Sequence, residues 1–186
     1  MYSCRAVIFD RKKILTGNKL KLFTDKLGKI EAYYKFNIKN INLDKLNLVK
    51  VNLRSYKDKI YIQNYIVENY FFKIRDNYER TIIAMYLIEL LDKTMGFDLP
   101  ENKIFSMFIS FLNFLNNEEN QSKILINLIK FINYYFFFLG YGNLIENYNE
   151  NYKQDISNVS FDEIIKLNEY IERNFNIELN SLKINK

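Results

Sequence analysis

The hydrophobic period of this chain changes once, from two residues to between three and four, and the change falls near residue 75. A period of two places alternate side chains on opposite faces of a strand, whereas a 3.6 period makes one stripe along a helix. The chain must therefore build an all-β unit first and an all-α unit second. Its 186 residues suffice for one large domain or two small ones. The boundary predicted here is 1–75 for the β unit and 76–186 for the helical one.

Within the first unit, Leu20 and Leu22 alternate with Lys19, Lys21 and Phe23. After a turn at 25–28, Ile30, Ala32, Tyr34 and Phe36 alternate with Lys29, Glu31, Tyr33 and Lys35. The hairpin should carry one apolar face and one basic, aromatic face. Strands are also expected at 2–9, at 49–53 and from 59 toward 70. Five short antiparallel strands of this spacing suit an OB-type barrel, which makes the fold class α+β.

Charge follows the same division. Residues 1–75 hold 17 Lys and Arg against 6 Asp and Glu, while residues 76–186 hold 10 against 16. A basic half next to an acidic one points to a polyanion as the partner of the first. OB barrels bind nucleic acid on the outer face of strands 2 and 3, with the loops joining strands 1–2 and 4–5 at its edges. Those loops are predicted at 10–17, with Arg11, Lys12 and Lys13, and at 54–58, with Arg54, Tyr56 and Lys57 and with Lys59 just beyond. Together with Lys19, Lys21, Lys29 and Lys35 on the hairpin they would neutralise phosphates. Phe23, Tyr33 and Tyr56 are the candidates for stacking on bases. Charge reversal at Lys19, Lys21 and Lys29 is expected to abolish binding and leave the melting curve nearly unchanged.

An AT-rich genome would also enrich Asn, Lys, Ile, Tyr and Phe, so these residues carry weight through their arrangement alone. Outward lysines on a strand also serve solubility and edge protection. A second class of function uses the same surface: a scaffold whose basic barrel grips an acidic protein segment, since fold does not decide function.

The second unit reads as helices. Ile82, Ile83, Tyr86, Leu87, Leu90 and Leu91 make the first stripe, which closes at Met95 and Gly96. Pro100 suits the first turn of the next, which runs through Phe105, Phe108, Leu112 and Leu115. A third spans 124–139, with its aromatic run 134–138 expected in the core. Asn127, Lys130 and Asn133 give that helix a polar stripe, and it is shorter than the roughly 20 apolar residues a membrane span needs. Residues 143–159 read as a polar loop or insertion. A last helix starts at Ser160 with Glu163 positioned for a capping box, and Asn174 or Asn176 ends it.

Catalysis finds no footing. The chain has no His and one cysteine, Cys4, and it lacks GxxxxGK[ST], GxGxxG and GxSxG motifs. The carboxylate pairs Glu118–Glu119 and Asp162–Glu163 stand at predicted helix starts, where acids favour the helix dipole. A nuclease or ligase fragment would need catalytic groups this sequence does not offer. The expectation is a non-enzyme without metal or cofactor. No signal peptide is visible, so the protein is expected in the cytoplasm.

The segments RAVIFD (5–10) and NKLKLFTDKLGKIEAYYKF (18–36), then YLIELLDKTM (86–95), FFFLGYG (136–142) and IERNFNIELNSLKI (171–184), occur in an order that resembles the RecO recombination-mediator family. The resemblance implies an N-terminal OB barrel joined to a helical domain, and a non-catalytic DNA-repair protein of the bacterial cytoplasm and nucleoid. It further implies binding of single- and double-stranded DNA, annealing of complementary strands and help in loading recombinase onto coated strands. A ring-forming RecR-type protein and the single-stranded-DNA-binding protein are the implied partners. Two departures stand out. Where many members carry a four-cysteine zinc module, residues 143–155 hold neither Cys nor His, and where many carry a basic loop after the third strand, Lys39 is the only cation of residues 37–44.

Overall fold

The computed structural model describes residues 2–35, 43–142 and 160–182. Five strands come first: β1 (Tyr2–Ile14), β2 (Gly17–Thr24), β3 (Gly28–Lys35), β4 (Leu48–Tyr56) and β5 (Lys59–Asn69). The helices follow: α1 (Phe72–Arg75), α2 (Tyr78–Thr94), α3 (Asn102–Asn117), α4 (Gln121–Phe138) and α5 (Phe161–Phe175). The expected loop at 37–44 (in part) and the expected insertion at 143–159 lie outside the described residues.

The strands close into a barrel in the order β1-β2-β3-β5-β4. All neighbours are antiparallel except β3 and β5, which pair in parallel through Ala32 with Ile60 and Tyr33 with Tyr61. This is the five-stranded Greek-key layout of the OB fold, so the α+β expectation holds. Alternation explains the interior: Ala6, Ile8, Leu20, Leu22, Val51 and Ile62 all point inward and are buried. The ladder between β1 and β2 slips between Ile8 and Asp10, a bulge that bends β1 so that it can serve both neighbours.

By packing, the chain forms two compact units, and each draws on two stretches of sequence. The first joins Met1–Phe72 to Leu87–Ser106, and the second joins Lys73–Tyr86 to Met107–Lys186. In the first unit the outer face of β1 and β2 is covered. Val7 and Phe9 are buried as fully as the inward Ile8, and the Phe23 ring lies 5.5 Å from that of Phe9 and 5.3 Å from that of Phe105. Strands buried on both faces read as unbroken apolar runs, which is what Ala6-Val-Ile-Phe9 is.

In the second unit, Leu112, Leu128, Ile132, Ile164 and Leu167 form an apolar interior. The Arg80 guanidinium donates to the carbonyl oxygens of Glu118 (2.6 Å) and Asn116 (3.5 Å), which satisfies the C-terminal end of α3. The motif Leu139-Gly-Tyr-Gly142 ends α4. Gly140 adopts φ 88°, its N–H donates to Phe137 O and the Tyr141 N–H donates to Phe136 O. This is a Schellman cap, completed by the ring of Tyr141 against that of Phe136 at 6.1 Å. The aromatic run 134–138 is only partly core: Tyr135 and Phe136 are buried, but Tyr134 and Phe137 are exposed. Five consecutive helical residues span more than a full turn, so they cannot share one buried side. The last helix begins with the expected capping box, the Glu163 carboxylate accepting from the Ser160 N–H at 2.7 Å, and it ends at Asn176 with φ 49°. No helix among the described residues is long and apolar enough to cross a membrane.

Candidate nucleic-acid interface

The thirteen side chains picked out by sequence fall into three places on the first unit. The β2–β3 face is largely occupied by the protein itself. Lys19 Nζ pairs with Glu31 Oε2 at 2.7 Å, and Lys21 Nζ pairs with Asp92 Oδ2 at the same distance. Lys29 is only 3% exposed; its ammonium donates to the Asp92 carbonyl oxygen, lies 3.4 Å from the Asp92 carboxylate and sits 4.6 Å from the centre of the Phe97 ring. Burial pulls the Lys29 pKa below the usual lysine value, against the opposing pull of Asp92. Phe23 is 0% exposed and has no face to offer a base. The cause is Leu87–Ser106: α2 brings Asp92 over β2 and β3, the following turn brings Phe97 and Leu99, and α3 brings Phe105. Gly28 is fixed here for the same reason, since at φ 69° a Cβ would collide with the Leu99 backbone.

The second place is the β1–β2 hairpin. The predicted loop at 10–17 contracts to the two residues Leu15 and Thr16, because Asp10 to Ile14 continue β1 and pair with β2. Arg11 bonds Asp44 at 2.9 Å and Asn18 at 3.2 Å, whereas Lys12 and Lys13 are exposed.

The third place is where the cations and rings converge. Parallel pairing of β3 with β5 sets Tyr33 beside Tyr61, their ring centres 5.9 Å apart. The Lys59 ammonium lies 5.3 Å from the Tyr33 ring centre, that of Lys35 5.6 Å from Tyr61, and that of Lys57 5.4 Å from Tyr56. Each distance is within the reach of a cation–π contact. The predicted loop at 54–58 also contracts, here to a Lys57–Asp58 turn with φ of 47° and 58°. Positive φ at both central residues matches the twist of a tight hairpin; Asp58 tolerates it, and Lys57 does not favour it. Arg54 and Tyr56 consequently stand on β4 itself.

Two clefts flank the ring cluster. One, of about 460 Å³, has Lys59 and Tyr33 in its lining but also Glu31, Asp58 and Asp98, an arrangement that repels a phosphate. The other, of about 480 Å³, is lined by Tyr34, Lys35, Arg54, Tyr56, Tyr61 and Ile62, with Gln63 and no acid among the described residues. It combines what an unpaired strand needs: cations for phosphates and ring faces for bases. Lys35, Arg54, Lys57 and Lys59 form no ion pair among the described residues. Sequence reasoning missed Tyr34 and Tyr61. Tyr61 had a signal, since inward Ile60 and Ile62 send it outward, but its neighbour Tyr33 lies across a pairing that local alternation cannot reveal.

Catalytic or metal chemistry has little to work with here. Cys4 is buried in the barrel, and that burial pushes its thiol up to about 11. Among the described residues no three His, Cys, Asp or Glu side chains are grouped to hold a metal ion.

A comparison with curated proteins returned no match. A comparison with protein families did return one. Residues 75–165 match the family described as recombination protein O, C terminal, a stretch that includes α2, α3 and α4 whole and the start of α5. RecO proteins act without catalysis in recombinational DNA repair. Residues 75–165 are thus similar to the RecO C-terminal domain, and the resemblance to the RecO family read from the sequence is borne out.

Proposed function

We propose that the chain is a DNA-binding and annealing mediator whose barrel, residues 1–75, holds the nucleic acid. The observation that carries this reading is the cleft between β3, β4 and β5, without an acid among its described lining residues, in which Lys35 and Arg54 stand beside the rings of Tyr34, Tyr56 and Tyr61. Lys57, Lys59 and Tyr33 extend the same surface, and Lys12 and Lys13 add positive charge on the neighbouring hairpin. Lys21, Lys29 and Phe23 act in the fold, where they hold Leu87–Ser106 on the barrel.

The contacts are indifferent to sequence. Ammonium and guanidinium groups meet phosphates, and tyrosine rings meet whichever base is presented. Such loose stacking holds two strands at lowered mutual repulsion and lets complementary pairs form, which is annealing. Both single and double strands are bound, the duplex through its phosphates. The helical residues 76–186 would dock the RecR-type ring protein and the single-stranded-DNA-binding protein, so that recombinase gains access to coated strands in the bacterial cytoplasm.

Strand annealing of fluorescent complementary oligonucleotides tests the reading, with and without a single-strand coating protein. Wild-type protein should speed annealing, and the Lys35→Gln, Arg54→Gln double variant should be slower while melting at the wild-type temperature. Equal rates for the two proteins would overturn the assignment of the cleft.

A further inference from the structure

The β1–β2 hairpin ends in a residue that neither the turn nor the core explains. Leu15 is 106% exposed, at the first central position of a two-residue connection between Ile14 and Gly17. The positive φ of this turn falls on Gly17 (148°) and not on Leu15, so the backbone makes no special demand there and the leucine side chain contributes nothing to the turn. The arms behind the tip are basic. Lys12 and Lys13 are exposed and form no ion pair among the described residues, and Lys12 stands directly opposite Lys19 in the ladder. Lys19 is already paired with Glu31 at 2.7 Å, so the charge the hairpin offers a polyanion is that of Lys12 and Lys13.

The hairpin is also tied to the cleft. Gly17 pairs with Lys35 and Asn18 with Tyr34, and Gly17, at φ 148°, packs so closely that a Cβ would collide with the Tyr34 carbonyl oxygen. Tyr34 and Lys35 line the cleft, so the apolar tip stands at the β3 end of it. A strand lying in the cleft and continuing past Lys35 would meet Leu15.

We propose that the β1–β2 hairpin is a wedge for the junction between single- and double-stranded DNA: Leu15 inserts against the terminal base pair while Lys12 and Lys13 hold the phosphates of the duplex arm. Apolar side chains on basic elements are used in this way to unstack a base step. The inference rests on the nucleic-acid reading of the cleft and adds a substrate class to it, the forked or partly duplex strand.

The test uses the full chain and two probes: a forked DNA with 2-aminopurine at the junction base pair, and a single strand of the same length. Wild-type protein should raise the 2-aminopurine fluorescence on binding the fork. Leu15→Ala should lose that rise and bind the single strand as wild type does, and the exposure of Leu15 means its fold is not at stake. Lys12→Gln with Lys13→Gln should weaken fork binding more than single-strand binding. An unchanged fluorescence rise in Leu15→Ala, or no rise with the wild type, would overturn the wedge while leaving single-strand binding standing. Absence of binding to either probe would instead remove the cleft reading on which the wedge depends.

Discussion

At the scale of single residues, burial divides side chains that look alike in sequence. Lys29 and Lys35 both face outward from β3, yet one is enclosed by Asp92 and Phe97 and the other lies open over Tyr61. Charge reversal separates them. Lys29→Glu sets a second carboxylate against Asp92 in a buried place and should lower stability by about 3–5 kcal/mol, whereas Lys35→Glu should leave the melting temperature close to wild type and weaken DNA binding. The expectation of an unchanged melting curve for reversal at Lys19, Lys21 and Lys29 is therefore replaced for Lys21 and Lys29. Phe23→Ala should likewise cost about 3–5 kcal/mol in a denaturant titration, because it empties a site between Phe9 and Phe105. Cys4 gives the pH prediction. Its folded thiol near 11 lies above the ordinary value of 9.0, so the native state keeps a proton that the unfolded state releases between those values. The corresponding stability is complete below pH 9 and is lost as pH rises toward 11. Chemical denaturation of Cys4→Ala should fall less steeply across that interval than wild type, and the native thiol should resist alkylation at pH 8 until the protein is unfolded.

At the scale of elements, alternation and capping chemistry were legible because each is settled by near neighbours. The inward faces of β2 and β3 and the capping box at Ser160 both follow from residues a few positions apart. Loop lengths were not legible. Cations at 11–13 and 54 suggested loops, yet they continue β1 and β4, because strand partners were available on β2 and β5 and pairing satisfies the backbone. The Lys57–Asp58 turn is the element with room for improvement. Replacing it by Asn-Gly puts residues that tolerate left-handed backbone at both positions and should stabilise the protein by roughly 1 kcal/mol, read as a rise of about 2–4 °C in Tm.

At the scale of the whole molecule, the charge division changes once the compact units are drawn. Residues 1–75 carry 17 cations against 6 acids, but the unit that packs Leu87–Ser106 onto the barrel carries 17 against 10, and the other unit 10 against 12. The acids gained include Asp92, which pairs with Lys21 and Lys29, while Lys35, Arg54, Lys57 and Lys59, which form no ion pair among the described residues, gather around β3, β4 and β5. Binding of single-stranded oligonucleotide should weaken with salt at a log–log slope of about −0.7 per phosphate contact, and the Lys35→Gln, Arg54→Gln, Lys57→Gln variant should be shallower by about two. Fluorescence anisotropy across a salt series measures both slopes, and a response independent of salt would count against a phosphate-binding surface.

The sequence by itself determined the two periodicities, hence the barrel and the helices, and it identified the basic, aromatic strands as the place to look. Those properties are set within one strand or one helical turn, where neighbouring residues suffice. Tertiary structure alone decided which of those residues stay accessible. Asp92 and Phe105 lie far along the chain from the strands they cover, and Tyr33 meets Tyr61 only through the parallel closure of the barrel. Accessibility depends on every element that packs against a face, and no local pattern carries that information.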